Sequence, residues 1–208
     1  MASLDFETAV FTQTSFSYIA GLDEAGRGAL AGPVVAAAVI LPLDNPDTLA
    51  YLHEVNDSKQ LSAKRREALF SLITQHALAY GIGQESAAVI DEIGIIPSTK
   101  RAMLTAVSQL TPAAQYLLID GRIRLKNSPL PQQSIIRGDS KSLSIAAASI
   151  LAKVTRDRIM VELDAHYMLY GFAQHKGYGT EKHRAAIEKY GATPIHRYSF
   201  APIRKPLI

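Results

Sequence analysis

Two short apolar runs near the N-terminus, separated by a pair of carboxylates, constrain the fold more than any other feature of the chain. Residues 18–22 and 34–41 are rich in aliphatic side chains and bounded by glycine and proline, which predicts two strands that enter and leave a core. Asp23 and Glu24 then lie at a strand end, where both carboxylates can turn towards one ligand. A plain turn between two hairpin strands is the alternative interpretation, and these residues alone favour neither.

The remaining pattern alternates between strands and helices. We predict further strands at 79–86, 116–119 and 133–137, and helices at 62–76, 97–110, 142–167 and 180–190. Because helices follow strands in the second half of the chain, this order favours an α/β fold with a mixed sheet. We expect a main domain over residues 16–170 and a small, basic helical extension over 171–208, where seven Lys or Arg residues outnumber two Glu residues.

The composition narrows the possible chemistry. With 208 residues, of which 48% are apolar, the chain can bury one sizeable core. The absence of cysteine excludes disulfides and thiolate ligands, so a bound metal would need oxygen or imidazole ligands, which points towards a hard cation. The apolar stretch 29–43 is too short to span a membrane and contains Gly and Pro, so we expect a soluble, cytoplasmic protein without a membrane partner.

Charge is distributed unevenly along the chain. The formal net charge is +3, and the positive excess lies in residues 171–208. A basic tail beside a body that carries candidate carboxylates suits a polyanionic substrate, although charge alone does not exclude a merely solvated basic surface. We also expect a monomer, because the pattern leaves no excess of exposed apolar residues that would require a partner.

Two further acidic residues follow predicted strands. Asp120 and Asp139 lie at carboxyl ends, the edge at which open α/β sheets place their ligands. Together with the pair at 23–24, four carboxylates could converge there. Clustered carboxylates repel one another unless cations share the site, which favours Mg²⁺ or Mn²⁺, and two such ions can promote hydrolysis of a phosphodiester. A turn role for Asp120 and a helix N-cap role for Asp139 are the alternatives.

Several spaced motifs together resemble bacterial ribonuclease HII, in the order expected for that family. They are GLDEAGRG at 21–28, DSK at 57–59, LIDG at 118–121, GDSK at 138–141 leading into AAASILAK at 146–153, HKGYGT at 175–180 and HRYSFAP at 196–202. The resemblance covers residues 18–202. The first 15 residues match nothing in it, which leaves disorder open for them.

The resemblance implies a ribonuclease H-like fold, in which helices flank a mixed β-sheet and a small helical extension follows. It also implies an endonuclease that cuts the RNA strand of RNA/DNA hybrids and incises on the 5′ side of single ribonucleotides in duplex DNA, leaving 5′-phosphate ends, as in ribonucleotide excision repair. Carried over by motif, the catalytic and metal-binding residues would be Asp23, Glu24, Asp120 and Asp139, with Mn²⁺ or Mg²⁺ as cofactor.

The resemblance also implies a set of substrate-binding residues. Gly26, Arg27 and Gly28 would contact the ribonucleotide and its 2′-OH, and Tyr178 would stack on the neighbouring sugar. Phosphates would be held by Lys59, Lys141 and the basic tail. A backbone can read a 2′-OH only where it can approach closely, which suits glycine. Core packing is the alternative role for Tyr178.

Two other functions compete with this one. A noncatalytic module that binds RNA/DNA hybrids is disfavoured because all four carboxylates are present. A ribonuclease H-like nuclease acting on other DNA structures is disfavoured by the turn at 26–28 and by Tyr178, since a nuclease for DNA alone does not need to sense a 2′-OH.

Overall fold

The computed structural model describes residues 2–50, 52, 55 and 61–203. In this part of the chain five strands form one mixed sheet in the order β3-β2-β1-β4-β5. They are β1 (Ile19–Ala25), β2 (Val34–Ile40), β3 (Ala79–Glu85), β4 (Tyr116–Asp120) and β5 (Gln132–Ile135). Neighbours among β1, β2 and β3 are antiparallel, whereas β4 runs parallel to β1 and β5 parallel to β4. The predicted α/β fold with a mixed sheet is confirmed.

Helices cover both faces of this sheet. They are α1 (Asp5–Gln13), α2 (Pro46–Ala50), α3 (Ala63–His76), α4 (Ala87–Ile93), α5 (Ile95–Ser108), α6 (Leu143–His166), α7 (Phe172–His175) and α8 (Glu181–Tyr190). Successive side chains of β2 point to opposite faces of the sheet, as strand geometry requires. Ala37 and Val39 pack in the core with α3 and α6, while Ala36 and Ala38 pack with α5.

The long helix α6 lies unusually close to the central strand β1. A Cβ atom built on Gly21 would stand 2.2 Å from the backbone carbon of Ser144, which no real structure tolerates. Ala146, Ala147 and Ala148, which follow Ser144 in α6, are fully buried in the core. Gly21 therefore sets the depth at which α6 sits behind the strand that carries the acidic pair.

The C-terminal helices pack against the main sheet domain through a separate cluster. Phe172 and Ala186 share this cluster with Ala31, which follows the acidic strand, and with Met160 of α6. The helix predicted at 180–190 is confirmed, and Thr180 caps it by accepting the backbone N–H of His183. Among the described residues no helix is long and apolar enough to cross a membrane.

The structure differs from the sequence predictions at several places. The first 15 residues contain α1, so the disorder left open for them is wrong. The strand predicted at 133–137 ends at Ile135, because Arg137 has a left-handed φ of 58° that cannot continue a strand. Asp139 consequently lies in a short 3-10 helix, Gly138–Ser140, rather than at a strand end, and the N-cap of α6 is Ser142. Helix α4, which precedes α5, and the short helices α2 and α7 were absent from the predicted elements.

Candidate active site

Three of the four predicted carboxylates meet at one edge of the sheet. Leu22 of β1 is paired with Ile119 of β4, so Asp23 and Asp120 each follow the last paired residue of two parallel strands. Glu24 is next along β1, near its carboxyl end. The parallel pairing of β1 and β4, which the sequence alone did not specify, is what brings the two motifs together.

Asp139 approaches the same edge from the other side. The backbone N–H of Gly138 donates to Asp120 Oδ1 at 2.6 Å, which ties the 3-10 helix to the end of β4. Asp139 itself is 5% exposed and does not line the cavity described below. The structure thus places Asp139 next to the residue that is hydrogen-bonded to Asp120, although Asp139 is not among the residues that line the cavity.

The electrostatics of Asp23 reflect this crowding. Burial, followed by the charges of Glu24 and Asp120, raises the pKa of Asp23 well above its usual range. Hydrogen bonds from Ser149 of α6 and from the backbone N–H of Glu24, at 2.7 Å, oppose that shift. Arg27 lies 3.1 Å from Glu24 Oε1 and offsets part of the negative charge. A carboxylate group this crowded gains stability from any cation that joins it.

The residues fit a divalent metal by their chemistry. The set of donors consists of carboxylate oxygens, which suit Mg²⁺ and Mn²⁺, and mutual repulsion already destabilises the ionised form of Asp23. Among the described residues, however, no three His, Cys, Asp or Glu side chains stand in an arrangement ready to hold an ion. The ion pair of Glu24 with Arg27 and the hydrogen bond of Asp120 to Gly138 keep two of the carboxylates engaged elsewhere.

A cavity of about 800 Å³ opens in front of the carboxylates. Its walls include Asp23, Glu24 and Asp120, the whole turn 26–28, and Tyr178. The structure therefore brings together most of the residues that the sequence singled out. Other lining residues were missed by the sequence analysis, namely Arg66, Ile95, Ile96, Ser149, Lys153 and Phe200. Arg66 and Lys153 add positive charge, whereas Ile95, Ile96 and Phe200 form an apolar wall.

The two glycines of the turn are there for different physical reasons. Gly26 has a φ of 87°, and a Cβ on it would stand 1.8 Å from Arg156 Nε, so the fold itself requires glycine. A Cβ on Gly28 would meet nothing within 4 Å, and the residue is exposed at the cavity. No described neighbour explains the glycine at position 28, which leaves open backbone facing the cavity.

A buried arginine of α6 is hydrogen-bonded to the segment that follows this turn. Arg156 is fully buried, and its guanidinium donates to the carbonyls of Ala31, Pro33 and Lys176 at 3.0, 2.9 and 2.9 Å. The first two carbonyls belong to the segment after the turn, and the third precedes Tyr178 by two residues. One side chain therefore links the segment after the turn to the Tyr178 segment.

A second buried arginine, from the C-terminal part of the chain, also donates to backbone carbonyls in and after the turn. Arg197 is also fully buried and donates to the carbonyl of Gly32 at 2.9 and 3.1 Å and to that of Arg27 at 3.0 Å. Burial and the nearby charge of Arg156 lower the pKa of Arg197 to about 9. Sequence patterns could not reveal these contacts, because backbone carbonyls occur at every residue.

Tyr178 stands in the cavity wall close to two cations. Its ring centroid lies 5.2 Å from Arg156 Cζ and 5.6 Å from Lys153 Nζ. Lys153 is also ion-paired with Asp157 at 2.8 Å. Tyr178 is half-buried, and a ring in that position can meet a ligand while its other face rests on the protein.

The described part of the structure does not place either of the two predicted phosphate-binding lysines at the cavity. Lys141 is exposed and does not line the cavity, and its carbonyl accepts the backbone N–H of Ser3 at 3.0 Å. Lys59 lies outside the described residues. Both assignments remain predictions, and Lys153 is the lysine that the described structure places at the cavity.

Comparisons with known proteins agree with this picture. A family model described as Ribonuclease HII matches residues 20–203. The Ribonuclease HII of Ruminiclostridium cellulolyticum is 57% identical over 197 residues, which cover 95% of this chain and 74% of that protein. That of Geobacillus kaustophilus is 58% identical over 189 residues, covering 91% and 70%. Among solved structures, the ribonuclease H2 from Pyrococcus horikoshii matches with a TM-score of 0.75 at 28% identity, covering 89% of this chain and 95% of that one.

Proposed function

The chain belongs to the ribonuclease HII family of metal-dependent endoribonucleases, and we propose that it incises duplex DNA on the 5′ side of single embedded ribonucleotides as well as cutting the RNA strand of hybrids. The observation that carries this proposal is the shared cavity. Asp23, Glu24 and Asp120 line it together with Gly28 and Tyr178. Groups suited to hydrolysis and groups suited to ribose recognition therefore line one cavity.

The hydrolytic role is proposed for the four carboxylates Asp23, Glu24, Asp120 and Asp139. Their oxygen-only donor set and the repulsion at Asp23 support binding of Mg²⁺ or Mn²⁺. Such ions, when bound, activate a water and stabilise the leaving oxygen of the phosphodiester, yielding a 5′-phosphate. Arg27 is positioned to compensate Glu24 until a cation takes over that task.

Ribonucleotide recognition is proposed for the turn and the tyrosine. The open backbone at Gly28 lets an amide approach the 2′-OH, the group that distinguishes RNA from DNA at one nucleotide. Gly26 and Arg27 would shape this turn, and Tyr178 would stack on the adjacent sugar. Lys59 and Lys141 would hold phosphates, a role that Lys153 and Arg66 also suit by their place at the cavity. We propose that the protein acts as a monomer.

Cleavage of a DNA duplex that carries one ribonucleotide tests the activity. With Mg²⁺ or Mn²⁺ we expect one cut on the 5′ side of the ribonucleotide, with a 5′-phosphate on the product, and no cut in an all-DNA duplex of the same sequence. Equal cutting of both duplexes would identify a nuclease for other DNA structures. Binding of hybrids without any cut, at every metal concentration tried, would identify a binding module.

Asp120→Asn tests the carboxylate site within the same assay. We expect the cleavage rate to fall by about 100-fold or more while binding of the duplex changes little, because the variant loses a charge at the proposed metal site. Asp5→Asn, an exposed change of the same chemistry on α1, is the matched control. Full activity of Asp120→Asn would remove Asp120 from the site.

Tyr178→Ala and Tyr178→Phe test the recognition site. We expect Tyr178→Ala to lower incision at single ribonucleotides by about tenfold, since stacking on a base or sugar contributes on the order of 1–3 kcal/mol. Tyr178→Phe should keep most of the activity if the ring face is what matters. Tyr80→Ala removes an exposed tyrosine on the edge strand β3 and is the control. An unchanged Tyr178→Ala enzyme would return Tyr178 to a packing role.

A further inference from the structure

Three buried histidines lie directly behind Tyr178, and the proposed chemistry uses none of them. His183 and His196 are fully buried, and His175 is 8% exposed. The ring of Phe172 packs against all three, with its centroid 5.4 to 5.8 Å from theirs. A charged imidazole is costly in such surroundings, so the hydrogen bonds of these rings decide what they do.

The hydrogen bonds assign one tautomer to each of two rings. His183 Nδ1 lies 3.0 Å from the carbonyl oxygen of Tyr178, which can only accept, so this nitrogen carries the proton. His196 Nδ1 accepts the backbone N–H of Thr193 at 2.9 Å, which leaves the proton of that ring on Nε2. The two Nε2 atoms are 3.1 Å apart, and His196 is therefore the donor to His183. The result is a directed chain of neutral rings from Thr193 to Tyr178.

The surroundings of the two rings offer little to compensate an added proton. His175 stacks on His183 with centroids 4.4 Å apart, and its own nitrogens contact the Tyr170 carbonyl and the Gly177 N–H. The Tyr170 ring lies 5.1 Å from the His196 ring. The titratable side chains in ring contact with His183 and His196 are imidazoles and the Tyr170 phenol. Burial lowers the pKa of His183, and burial together with His183 lowers the pKa of His196 to about 4.

We infer that His183 and His196 are positioning residues, whose neutral hydrogen-bond chain holds the Tyr178 carbonyl from behind and thereby fixes the ring in the cavity wall. This inference rests on the role in ribonucleotide recognition proposed above for Tyr178. The opposite end of the same segment is held by Arg156, through the carbonyl of Lys176. A second proton on His183 would set N–H against N–H across the 3.1 Å gap, and a second proton on His196 would set its Nδ1–H against the backbone N–H of Thr193. Either change would break the chain that supports the Tyr178 carbonyl.

A double-mutant cycle on single-ribonucleotide incision tests this role. His183→Leu removes the donor to the Tyr178 carbonyl, whereas His183→Asn keeps a donor near the position of Nδ1. We expect His183→Leu to lower kcat/KM by about tenfold, as expected for one lost hydrogen bond, and His183→Asn to restore most of that loss. In a Tyr178→Ala background His183→Leu should cause no further loss, because the ring that the chain positions is gone.

The controls separate positioning from general destabilisation. His166→Leu changes an exposed histidine of α6 and should leave kcat/KM unchanged. His196→Asn breaks the chain one step earlier and supplies the same cycle if His183→Leu does not fold. Losses that add in the double variant, or a His183→Leu enzyme with unchanged kcat/KM, would overturn the inference. If Tyr178→Ala alone leaves incision unchanged, the proposed role of Tyr178 fails, and the inference fails with it.

Nitrogen-15 NMR of the histidine side chains gives a readout that does not depend on activity. We expect the Nδ1–H tautomer for His183 and the Nε2–H tautomer for His196. Both rings should remain neutral at a pH about one unit below the ordinary histidine pKa of about 6.5. Doubly protonated rings at that pH, or the opposite tautomers, would contradict the chain.

Discussion

At the scale of single residues, the turn at 26–28 shows that one residue type can serve two purposes within three positions. Gly26 is required by the fold, since its positive φ and the nearby Arg156 leave no room for a side chain. Gly28 is required by nothing among its described neighbours. A glycine with open space around it, beside a row of carboxylates, is best explained by a ligand that approaches the backbone.

Alanine substitutions should separate these two purposes. Gly28→Ala is expected to fold with a melting temperature close to that of the parent, but to lower incision at single ribonucleotides by about tenfold or more, because the new methyl group blocks approach to the 2′-OH. Gly26→Ala is expected to lower the melting temperature itself. Thermal unfolding and the single-ribonucleotide assay check both variants. A Gly28→Ala enzyme that incises normally would show that the open backbone is not used.

The buried arginines give a second prediction at the residue scale. Arg156→Lys keeps the charge but cannot reach three carbonyls with the geometry of a guanidinium, so buried carbonyls lose their donors. We expect the free energy of unfolding to fall by about 3 kcal/mol. Arg158→Lys, an exposed change two residues further along α6, is the matched control and should stay within about 0.5 kcal/mol of the parent. Urea unfolding measures both variants. Equal losses of stability in Arg156→Lys and Arg158→Lys would show that the hydrogen bonds of Arg156 to the three carbonyls contribute little.

At the scale of secondary-structure elements, the N-terminal helix α1 is an integral part of the fold. Glu7 is fully buried, and its Oε1 accepts from Ser142 Oγ at 2.6 Å and from Ser144 N and Oγ at 2.9 and 2.5 Å. Val10 of the same helix joins the cluster that includes Ile19 of β1. One carboxylate therefore anchors α1 to the first turn of α6, close in sequence to Asp139.

Removal of this anchor should destabilise the protein. Glu7→Ala leaves two hydroxyls and a backbone N–H without their acceptor, and we expect the free energy of unfolding to fall by about 2–4 kcal/mol. Asp5→Ala, an exposed acidic residue of the same helix, should change it by no more than about 0.5 kcal/mol. Denaturant titration gives both values. A Glu7→Ala protein as stable as the control would mean that α1 contributes little.

The elements that could be predicted from the sequence are those with a strong local pattern. The five strands, the helix over 62–76 and the long α6 are found close to their predicted bounds, and Ser62 caps α3 by accepting the backbone N–H of Arg65. Helix α1 was missed because its short, mixed pattern has no match in the family resemblance. The 3-10 turn at Asp139 was missed because the left-handed conformation of Arg137 is not signalled by its residue type.

The same distinction holds for the candidate site. The carboxylates, the turn and Tyr178 could be proposed from motifs, and the structure places all but Asp139 at the cavity. Lys153 and Ser149 could not be separated from ordinary helix residues, because only the packing of α6 behind β1 turns them towards the carboxylates. Contacts to backbone carbonyls, such as those of Arg197, leave no trace in the sequence.

At the scale of the whole molecule, the segment after β1 joins the two parts that the sequence predicted. Ala31 packs in the cluster of Tyr170 and Phe172, and the carbonyl of Leu30 accepts the backbone N–H of Arg197 at 2.9 Å. The boundary predicted at residue 170 remains a prediction, but residues on either side of it share one apolar cluster. Changes in the buried histidines that pack against Phe172 should therefore alter the free energy of unfolding of the whole protein.

The pH dependence of unfolding tests this coupling. Because the pKa of His196 is lowered to about 4 in the folded protein and is about 6.5 when unfolded, its contribution to stability is complete above pH 6.5 and is lost as pH falls towards 4. At about 1.4 kcal/mol per pKa unit, the loss amounts to at most about 3.5 kcal/mol. The raised pKa of Asp23 acts in the opposite direction, so wild type must be compared with His196→Gln, in which Asp23 is unchanged. We expect urea unfolding of the wild type to lose more stability between pH 6.5 and 4 than that of His196→Gln. Parallel curves for the two proteins would show that His196 does not remain neutral in the fold.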